Sequence, residues 1–338
     1  MIGKHVINNV EEFEILNNQI YIGNDSFLRI FNFHLEILKK ENIGVFCLKK
    51  FNNYLLLQPK SDKERENVYV INDQNKLLFG LILTHSFIEN DTLYILNSNR
   101  NIVKYDNKIN KIAEYFNLGR FPKLFLNNSY LKITNDRLFC YRLNNNNNLI
   151  WQQSFTDLLE ADEVLLRYYY VYKEKLILDL RTNGLPQNKY VAVVLDVNTG
   201  KELYRTEETL GKKLINGLGY TLYDQNLWIS NPETYEVQHV DLSETLSPLN
   251  KIIDDKIGDV DLGKTEVQFR FSPDYFSVDY PYLYFSEQRG LQVGVLNIET
   301  KELVFHTEIE EKSLVKDLKA SNGKLFVHTT ENNLYVFG

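Results

Sequence analysis

The residues that most often carry chemistry in proteins are scattered along this chain. The six histidines lie in separate segments, at His5, His34, His85, His239, His306 and His328. None of them stands two to four residues from a second histidine or a cysteine, as a local metal motif requires. The chain also lacks a G-x-S-x-G elbow and a G-x-G-x-x-G turn. The sequence therefore predicts no catalytic residue, no metal ligand and no bound cofactor.

The two cysteines are far apart, and each lies inside an apolar segment that resembles a strand. Cys47 belongs to VFCLKK and Cys140 to RLFCYR. Free cysteine behaves as a small core residue in such surroundings. We therefore expect two reduced, buried thiols with no disulfide and no metal.

One segment, DDKIGDVDLGKTE at 254–266, concentrates acidic side chains. It does not fit a calcium-binding loop, because Gly263 stands where the third ligand after Asp259 and Asp261 belongs. Two interpretations remain: a solvated acidic loop, or an acidic lip that faces a cationic protein. The formal net charge of −7 agrees with a basic protein partner. It argues against nucleic acid or an anionic membrane as partner.

These residues sit on a repeated unit of two strands joined by a turn. The unit recurs eight times, beginning at residues 19, 53, 92, 129, 175, 226, 282 and 324. A fourth strand follows most of the units, and both faces of the strands are often apolar. A repeat of about 40–50 residues with four such strands is typical of a β-propeller blade.

We therefore predict an all-β fold, a β-propeller of four-stranded antiparallel blades that forms one domain over residues 1–338. Eight blades are favoured, and seven remain an alternative if one strand pair is an insertion. The last unit ends at Gly338 after its third strand. A short N-terminal strand near Lys4–Ile7 would complete that blade and cover its edge.

Two segments resemble the repeat of quinoprotein-type propellers, namely VVLDVNTGKELYRTE at 193–207 and VGVLNIETKELVFHTE at 293–308. The matching residues are Asp196, Thr199, Gly200 and Lys201 in the first segment and, in part, Asn297, Thr300 and Lys301 in the second. The aromatic that closes the family's repeat corresponds to Tyr204, Phe305 and, in another unit, Trp151.

The resemblance implies a choice between two branches of that family. Its enzymes bind pyrroloquinoline quinone and a metal ion beside a disulfide of adjacent cysteines, and this chain has no adjacent cysteines. The resemblance is therefore to the non-enzymatic branch, which uses the propeller as a protein-binding platform, without a cofactor. The N-terminal residues lack the apolar core of a signal peptide, so we expect a cytoplasmic protein.

Insertions point to one face as the interaction surface. The connections at 58–67 and 181–189 are long, and each joins a second strand to a third. Such connections share a face with the links between blades, of which 254–267 is one. Loops on one face of a rigid scaffold often bind partners. The candidate partner-binding residues are Asp254, Asp255, Asp259, Asp261, Pro186, Tyr280 and Tyr282.

The functional hypothesis is a non-catalytic, cytoplasmic interaction propeller of bacterial type. In its most specific form the protein neutralises a basic toxin or nuclease as an immunity partner. Two alternatives remain open. One is an enzyme, a hydrolase or lyase, with carboxylates and histidines gathered at a central channel. The other is a carbohydrate-binding propeller, suggested by the 22 tyrosines.

Overall fold

The protein consists of antiparallel sheets in two compact units. The computed structural model describes residues 3–61, 66–71, 76–89, 91–116, 124–126, 129–144, 146, 148–172, 174–182, 189–205, 219–223, 226–231, 236–241, 271–287, 292–297, 299–300, 302–309 and 313–338. The first unit contains residues 9–154, and the second contains residues 1–8 and 155–338. Each unit is built from sheets in which strands that follow one another in sequence pair side by side.

The chain begins with β1 (Lys4–Ile7), which belongs to the second unit. The first unit holds four four-stranded sheets. They are formed by β2 (Glu12–Leu16), β3 (Gln19–Gly23), β4 (Leu28–Asn32) and β5 (Ile37–Glu41); β6 (Val45–Phe51), β7 (Tyr54–Pro59), β8 (Asn67–Ile71) and β9 (Lys76–Phe79); β10 (Leu81–Glu89), β11 (Thr92–Asn97), β12 (Ile102–Tyr105) and β13 (Lys111–Tyr115); and β14 (Leu124–Leu126), β15 (Ser129–Ile133), β16 (Arg137–Arg142) and β17 (Leu149–Ser154).

The second unit continues with a short helix, α1 (Phe155–Leu159), and four further sheets. Three of them have four described strands and one has three. They are formed by β18 (Val164–Tyr172), β19 (Lys175–Thr182), β20 (Lys189–Asp196) and β21 (Glu202–Arg205); β22 (Gly219–Tyr223), β23 (Asn226–Asn231) and β24 (Glu236–Asp241); β25 (Phe271–Asp279), β26 (Tyr282–Glu287), β27 (Gln292–Asn297) and β28 (Glu302–Glu308); and β29 (Val315–Ser321), β30 (Lys324–Thr329), β31 (Leu334–Phe337) and β1.

Several second strands, namely β3, β7, β11 and β30, are buried on both faces. Ile20, Tyr21 and Ile22 in β3 are all fully buried, although consecutive side chains of a strand point to opposite faces. Side chains of the first two sheets pack together, with Leu16 and Tyr21 in one cluster with Val45 and Leu57. Because both faces are buried, the sequences of these second strands are continuous apolar runs and do not alternate between apolar and polar residues.

The turn from the third strand to the fourth begins with an Asp or Asn whose side chain folds back on the backbone. Asn32 Oδ1 accepts hydrogen bonds from the backbone N–H groups of His34 and Glu36, both at 2.9 Å. Asp106, Asp196 and Asn297 accept equivalent bonds in their own sheets. Aspartate and asparagine are favoured here because their short side chains mimic a backbone turn. Asp196 and Asn297, which match the quinoprotein-type repeat in the sequence, thus each begin such a turn.

A β-bulge follows this turn in five sheets. The register between the third and fourth strands skips one residue at the start of the fourth strand. In every case the skipped residue is a large aliphatic with an exposed fraction between 41% and 56%. These five bulge residues are Leu38, Ile112, Ile150, Leu203 and Val304. A bulge twists and bends an edge strand, so the outer edge of each of these sheets is irregular.

The residue after each bulge returns to the pairing register, and the rings of two such residues, Trp151 and Phe305, face the core. Trp151 follows Ile150, pairs with Cys140 and is buried. Phe305 follows Val304 and packs against Phe337, with ring centroids 5.6 Å apart. The bulge thus explains why an exposed aliphatic precedes the closing aromatic of the repeat.

The N-terminal strand completes the last sheet, as the sequence predicted. β1 pairs with β31 from Lys4 opposite Phe337 to Ile7 opposite Leu334. Gly3 N–H donates to the carbonyl of Gly338 at 3.3 Å, and Lys4 Nζ donates to the carbonyl of Ile309 at 3.1 Å. In the described part of the chain no helix is long and apolar enough to cross a bilayer.

Candidate binding surface

The structure describes only two of the seven candidate residues from the sequence. Tyr280 and Tyr282 are described. The four aspartates of the acidic segment and Pro186 lie outside the described residues, so their proposed role stays a prediction. The same segment contains GDVDLGKT at 258–265, which has the spacing of a phosphate-binding loop. That pattern acts only between a strand and a helix, and these residues also lie outside the described part.

Tyr280 and Tyr282 flank the tight turn that joins β25 to β26. Their exposed fractions are 52% and 36%. The Tyr280 hydroxyl donates a hydrogen bond to Glu299 Oε1 at 2.8 Å. The Tyr282 ring meets the Tyr284 ring edge-on, with centroids 6.4 Å apart. Both exposed rings are therefore held in defined orientations by neighbours of the same sheet.

Carboxylates surround the two tyrosines because of the strand register. Asp279 lies opposite Tyr282, Tyr282 lies opposite Asn297, and Asn297 lies opposite Glu302. The turn from β27 to β28 carries Glu299 and lies at the same end of this up-and-down sheet. We call the set Asp279, Tyr280, Tyr282, Glu299 and Glu302 the tyrosine surface.

Sequence reasoning missed the three carboxylates of the tyrosine surface. Glu299 follows Tyr280 by 19 positions in the chain, so their contact depends on the pairing of the two intervening strands, β26 and β27. The contact could have been predicted from the up-and-down order of the four strands. The turn after a first strand and the turn after a third strand lie at the same end of such a sheet.

The electrostatic character of the tyrosine surface is acidic. None of Asp279, Glu299 and Glu302 forms an ion pair with a residue that the structure describes. The hydrogen bond to Glu299 raises the pKa of Tyr280 above its usual range. Burial, with a smaller contribution from Asp279, raises the pKa of Tyr284 to about 12. Both phenols are therefore neutral at physiological pH.

Tyr280 and Tyr282 lie at the C-terminal end of β25, where the chain turns into β26. Residues 254–266 come before Phe271, where β25 begins, whereas Tyr280 follows Asp279, where it ends. Both tyrosines lie at a first-to-second turn of their sheet. The expectation that they share a face with Pro186 and the acidic segment stays a prediction, because those residues lie outside the described part of the chain.

The described residues contain no group of three or more His, Cys, Asp or Glu side chains arranged to hold a metal ion. Cys140 is buried, whereas Cys47 is only half-buried, which corrects the expectation of two fully buried thiols. Burial raises the pKa of both thiols to about 11. Such thiols are poor nucleophiles at neutral pH, because the thiolate is the reactive form.

Comparison with known structures identifies the fold. No family model and no curated protein matches the sequence. BamB from Moraxella catarrhalis, a propeller of quinoprotein-type repeats, superposes with a TM-score of 0.52 at 9% identity over 99% of this chain and 98% of that chain. Sqt1 from Saccharomyces cerevisiae superposes with a TM-score of 0.50 at 10% identity over 98% and 96% of the two chains. These likenesses, together with the antiparallel four-stranded sheets, show a fold of the β-propeller type.

Proposed function

We propose that this protein is a non-catalytic interaction propeller that binds a basic protein through the tyrosine surface. The observation that carries the proposal is Tyr280, which is half-exposed and fixed by Glu299 at 2.8 Å. A rigid, amphipathic ring loses little conformational entropy when it is covered, so tyrosine is enriched among residues that dominate binding energy. The neighbouring carboxylates favour a cationic partner.

The carboxylates and the tyrosine rings would contribute to binding in different ways. The carboxylates Asp279, Glu299 and Glu302 would attract a basic protein over a distance of about 8 Å at physiological salt. They would mainly raise the association rate. The two tyrosine rings can then stack on an arginine or lysine side chain of the partner, a cation–π contact worth about 0.5–2 kcal/mol.

The finer parts of this proposal concern architecture and partner. We propose one propeller domain over residues 1–338 with eight blades, because the structure describes eight sheets, seven with four strands and one with three. The partner class that best fits a chain of net charge −7 is a basic toxin or nuclease that this protein neutralises in the cytoplasm. The acidic segment with Asp254, Asp255, Asp259 and Asp261 and the loop with Pro186 are proposed as additional contacts.

A photo-cross-linking experiment tests the proposal and captures the partner in the same step. The cross-linking residue p-benzoylphenylalanine replaces Tyr280 in one variant and Ile112, an exposed residue of the other unit, in the control. We expect the Tyr280 variant to trap one basic protein in cells and the Ile112 variant not to trap it. Equal yields from both positions, or an acidic trapped protein, would contradict the proposal.

Binding kinetics with the trapped partner then test the carboxylates. In one variant Asp279, Glu299 and Glu302 become Asn, Gln and Gln. In a matched control the exposed Asp162, Glu163 and Glu174 of the same unit become Asn, Gln and Gln. We expect slower association and a weaker salt dependence in the first variant only. The same association rate in both variants would show that net charge alone matters and that the tyrosine surface is not the contact.

A further inference from the structure

A second exposed surface, of opposite charge, lies on the first sheet of the first unit. Its outermost strand, β5, pairs with β4 and with no other strand that the structure describes. Ile37 and Leu38 at the start of β5 are 59% and 52% exposed, and the two residues after them are also exposed. Because Leu38 is a bulge residue, the backbone edge here is irregular. A partner would therefore contact side chains more readily than it would add a strand.

The strand register places two cations on the same face as Ile37. Ile37 lies opposite Phe31, and Lys40 lies opposite Arg29. Residues opposite each other in an antiparallel pair have their side chains on one face. The Arg29 guanidinium is 4.5 Å and the Lys40 ammonium 5.0 Å from the centroid of the Phe27 ring. One aromatic ring therefore holds two positive charges side by side.

The acidic residues of β5 and the turn before it have other partners. Glu41 forms an ion pair with Lys39. Glu36 Oε2 accepts a hydrogen bond from Asn32 Nδ2 at 2.7 Å. Lys40 forms no ion pair with any residue that the structure describes. Because Arg29 and Lys40 lie directly opposite each other, one negative group of a partner can contact both cations.

We propose that Phe27, Arg29, Ile37, Leu38 and Lys40, here called the basic–apolar surface, dock an acidic segment of a partner protein. The carboxylates of that segment would contact Arg29 and Lys40, and an apolar side chain would cover Ile37 and Leu38. The exposed aliphatics favour a protein over nucleic acid, whose recognition uses phosphate contacts and base stacking. An anionic membrane is disfavoured because two cations contribute only about 1 kcal/mol each at a membrane surface, while the chain carries a net charge of −7.

This proposal goes beyond the function assigned to the tyrosine surface, since the two surfaces share no residue and have opposite charge. The test uses a short fluorescein-labelled peptide of alternating glutamate and leucine, with fluorescence anisotropy at low and physiological salt. The variant is Lys40→Glu. The matched control is Lys39→Glu, which makes the same charge change one residue away, where the side chain pairs with Glu41 on the opposite face.

We expect Lys40→Glu to weaken peptide binding by about tenfold or more and Lys39→Glu to change it little. Lys40→Gln, which removes the charge without reversing it, is expected to weaken binding by a smaller factor. Thermal melting of each variant checks that the fold is retained. Equal losses in the Lys40 and Lys39 variants, or no binding to the parent protein, would overturn the proposal. A single-stranded oligonucleotide or a phosphatidylserine vesicle that binds in a Lys40-dependent manner while the peptide does not would also overturn it.

Discussion

A tyrosine whose hydroxyl donates to a carboxylate can be exposed and still be ordered. The Tyr280–Glu299 hydrogen bond fixes the ring before any partner arrives. Ordering an exposed side chain during association costs about 0.5–1.5 kcal/mol, and a ring that is already fixed avoids part of that cost. At the residue scale, this hydrogen bond would therefore preorganise Tyr280 for the binding that we propose.

The pKa of Tyr280 reports this hydrogen bond directly. Ionisation would remove the proton that Tyr280 donates and place a phenolate beside the Glu299 carboxylate, so the pKa is raised. We expect Glu299→Ala to lower the pKa of Tyr280 toward its ordinary value of about 10. Nuclear magnetic resonance titration of 13Cζ-labelled tyrosine measures this change. Tyr284 is the internal control, because its pKa of about 12 arises first from burial and is expected to stay there. An unchanged Tyr280 midpoint would contradict the assignment.

The two cysteines are predicted to react slowly in the folded protein. A thiol with a pKa of about 11 is only about 0.1% thiolate at pH 8, which is about a hundredfold less than an ordinary thiol. We expect iodoacetamide to label both slowly, and Cys140 more slowly than the half-buried Cys47. Mass spectrometry of native and urea-unfolded protein gives the two rates. Fast native labelling of Cys140 would argue for a nucleophilic role that this structure does not explain.

At the element scale, the bulges allow each outermost strand to pair on one edge without offering a regular second edge to other chains. Each strand must pair with the third strand of its sheet, yet its other edge is open to solvent and to other chains. The skipped aliphatic, such as Ile112 between Lys111 and Ala113, interrupts the regular ladder at that edge. An irregular edge is a poor template for pairing with a second copy of the protein.

Deleting Ile112 tests whether the bulge has this protective effect. The deletion leaves Lys111 and Ala113 adjacent, so that β13 can pair with β12 in a continuous register. We expect this variant to fold and to self-associate, as measured by sedimentation velocity at several concentrations. Ile112→Ser is the matched control, because it removes the exposed aliphatic group but keeps the bulge. Self-association of Ile112→Ser, or parental behaviour of the deletion, would be inconsistent with edge protection.

The close approach of the first two sheets is predicted to depend on Gly23. A Cβ atom at this position would lie 2.5 Å from Val45 Cβ, and Val45 is fully buried. Overpacking of this kind costs about 1–3 kcal/mol. We expect Gly23→Ala to lower the free energy of unfolding in urea by that amount, whereas Gly3→Ala, with 3.6 Å to its nearest neighbour, should have little effect. Equal stabilities of the two variants would show that the sheets can separate without cost.

The sequence predicted the strands well because their signal is local. Continuous apolar runs such as TLYILN and a following Asp or Asn turn require only a few consecutive residues to identify. The bulges were not predicted, since one residue skipped in a register does not alter the local apolar pattern. The same limit applies to the candidate site. Tyr280 was identified from the sequence. Its contact with Glu299 was not, because that contact depends on how the successive strands from β25 to β28 pair with their neighbours.

At the scale of the whole molecule, the two proposed binding surfaces, which have opposite charge, belong to different units. The tyrosine surface belongs to the second unit and the basic–apolar surface to the first. A net charge of −7 would by itself repel an acidic partner. Binding of an acidic segment therefore requires a local cluster such as Arg29 and Lys40 with adjacent apolar contacts, whereas binding of a basic partner is helped by the whole chain.

The pairing of the two chain ends is predicted to stabilise the second unit. All four residues of β31 are buried, and β1 covers the edge of that strand from Leu334 to Phe337. Removing residues 1–8 would expose Tyr335 and Phe337 together with an unpaired row of backbone groups, which is a template for aggregation. We expect a lower melting temperature and increased light scattering on heating.

Two controls separate strand pairing from side-chain effects in this experiment. Removing only Met1 and Ile2, which precede β1, should leave the melting temperature unchanged. Val6→Ser removes an exposed apolar side chain but keeps the backbone pairing with Tyr335, so it should also resemble the parent. If the protein without residues 1–8 melts at the parental temperature and stays dispersed, β31 does not need β1. The last sheet would then be stable with three strands, because burial within its own core, including Leu325 and Val327, would be sufficient.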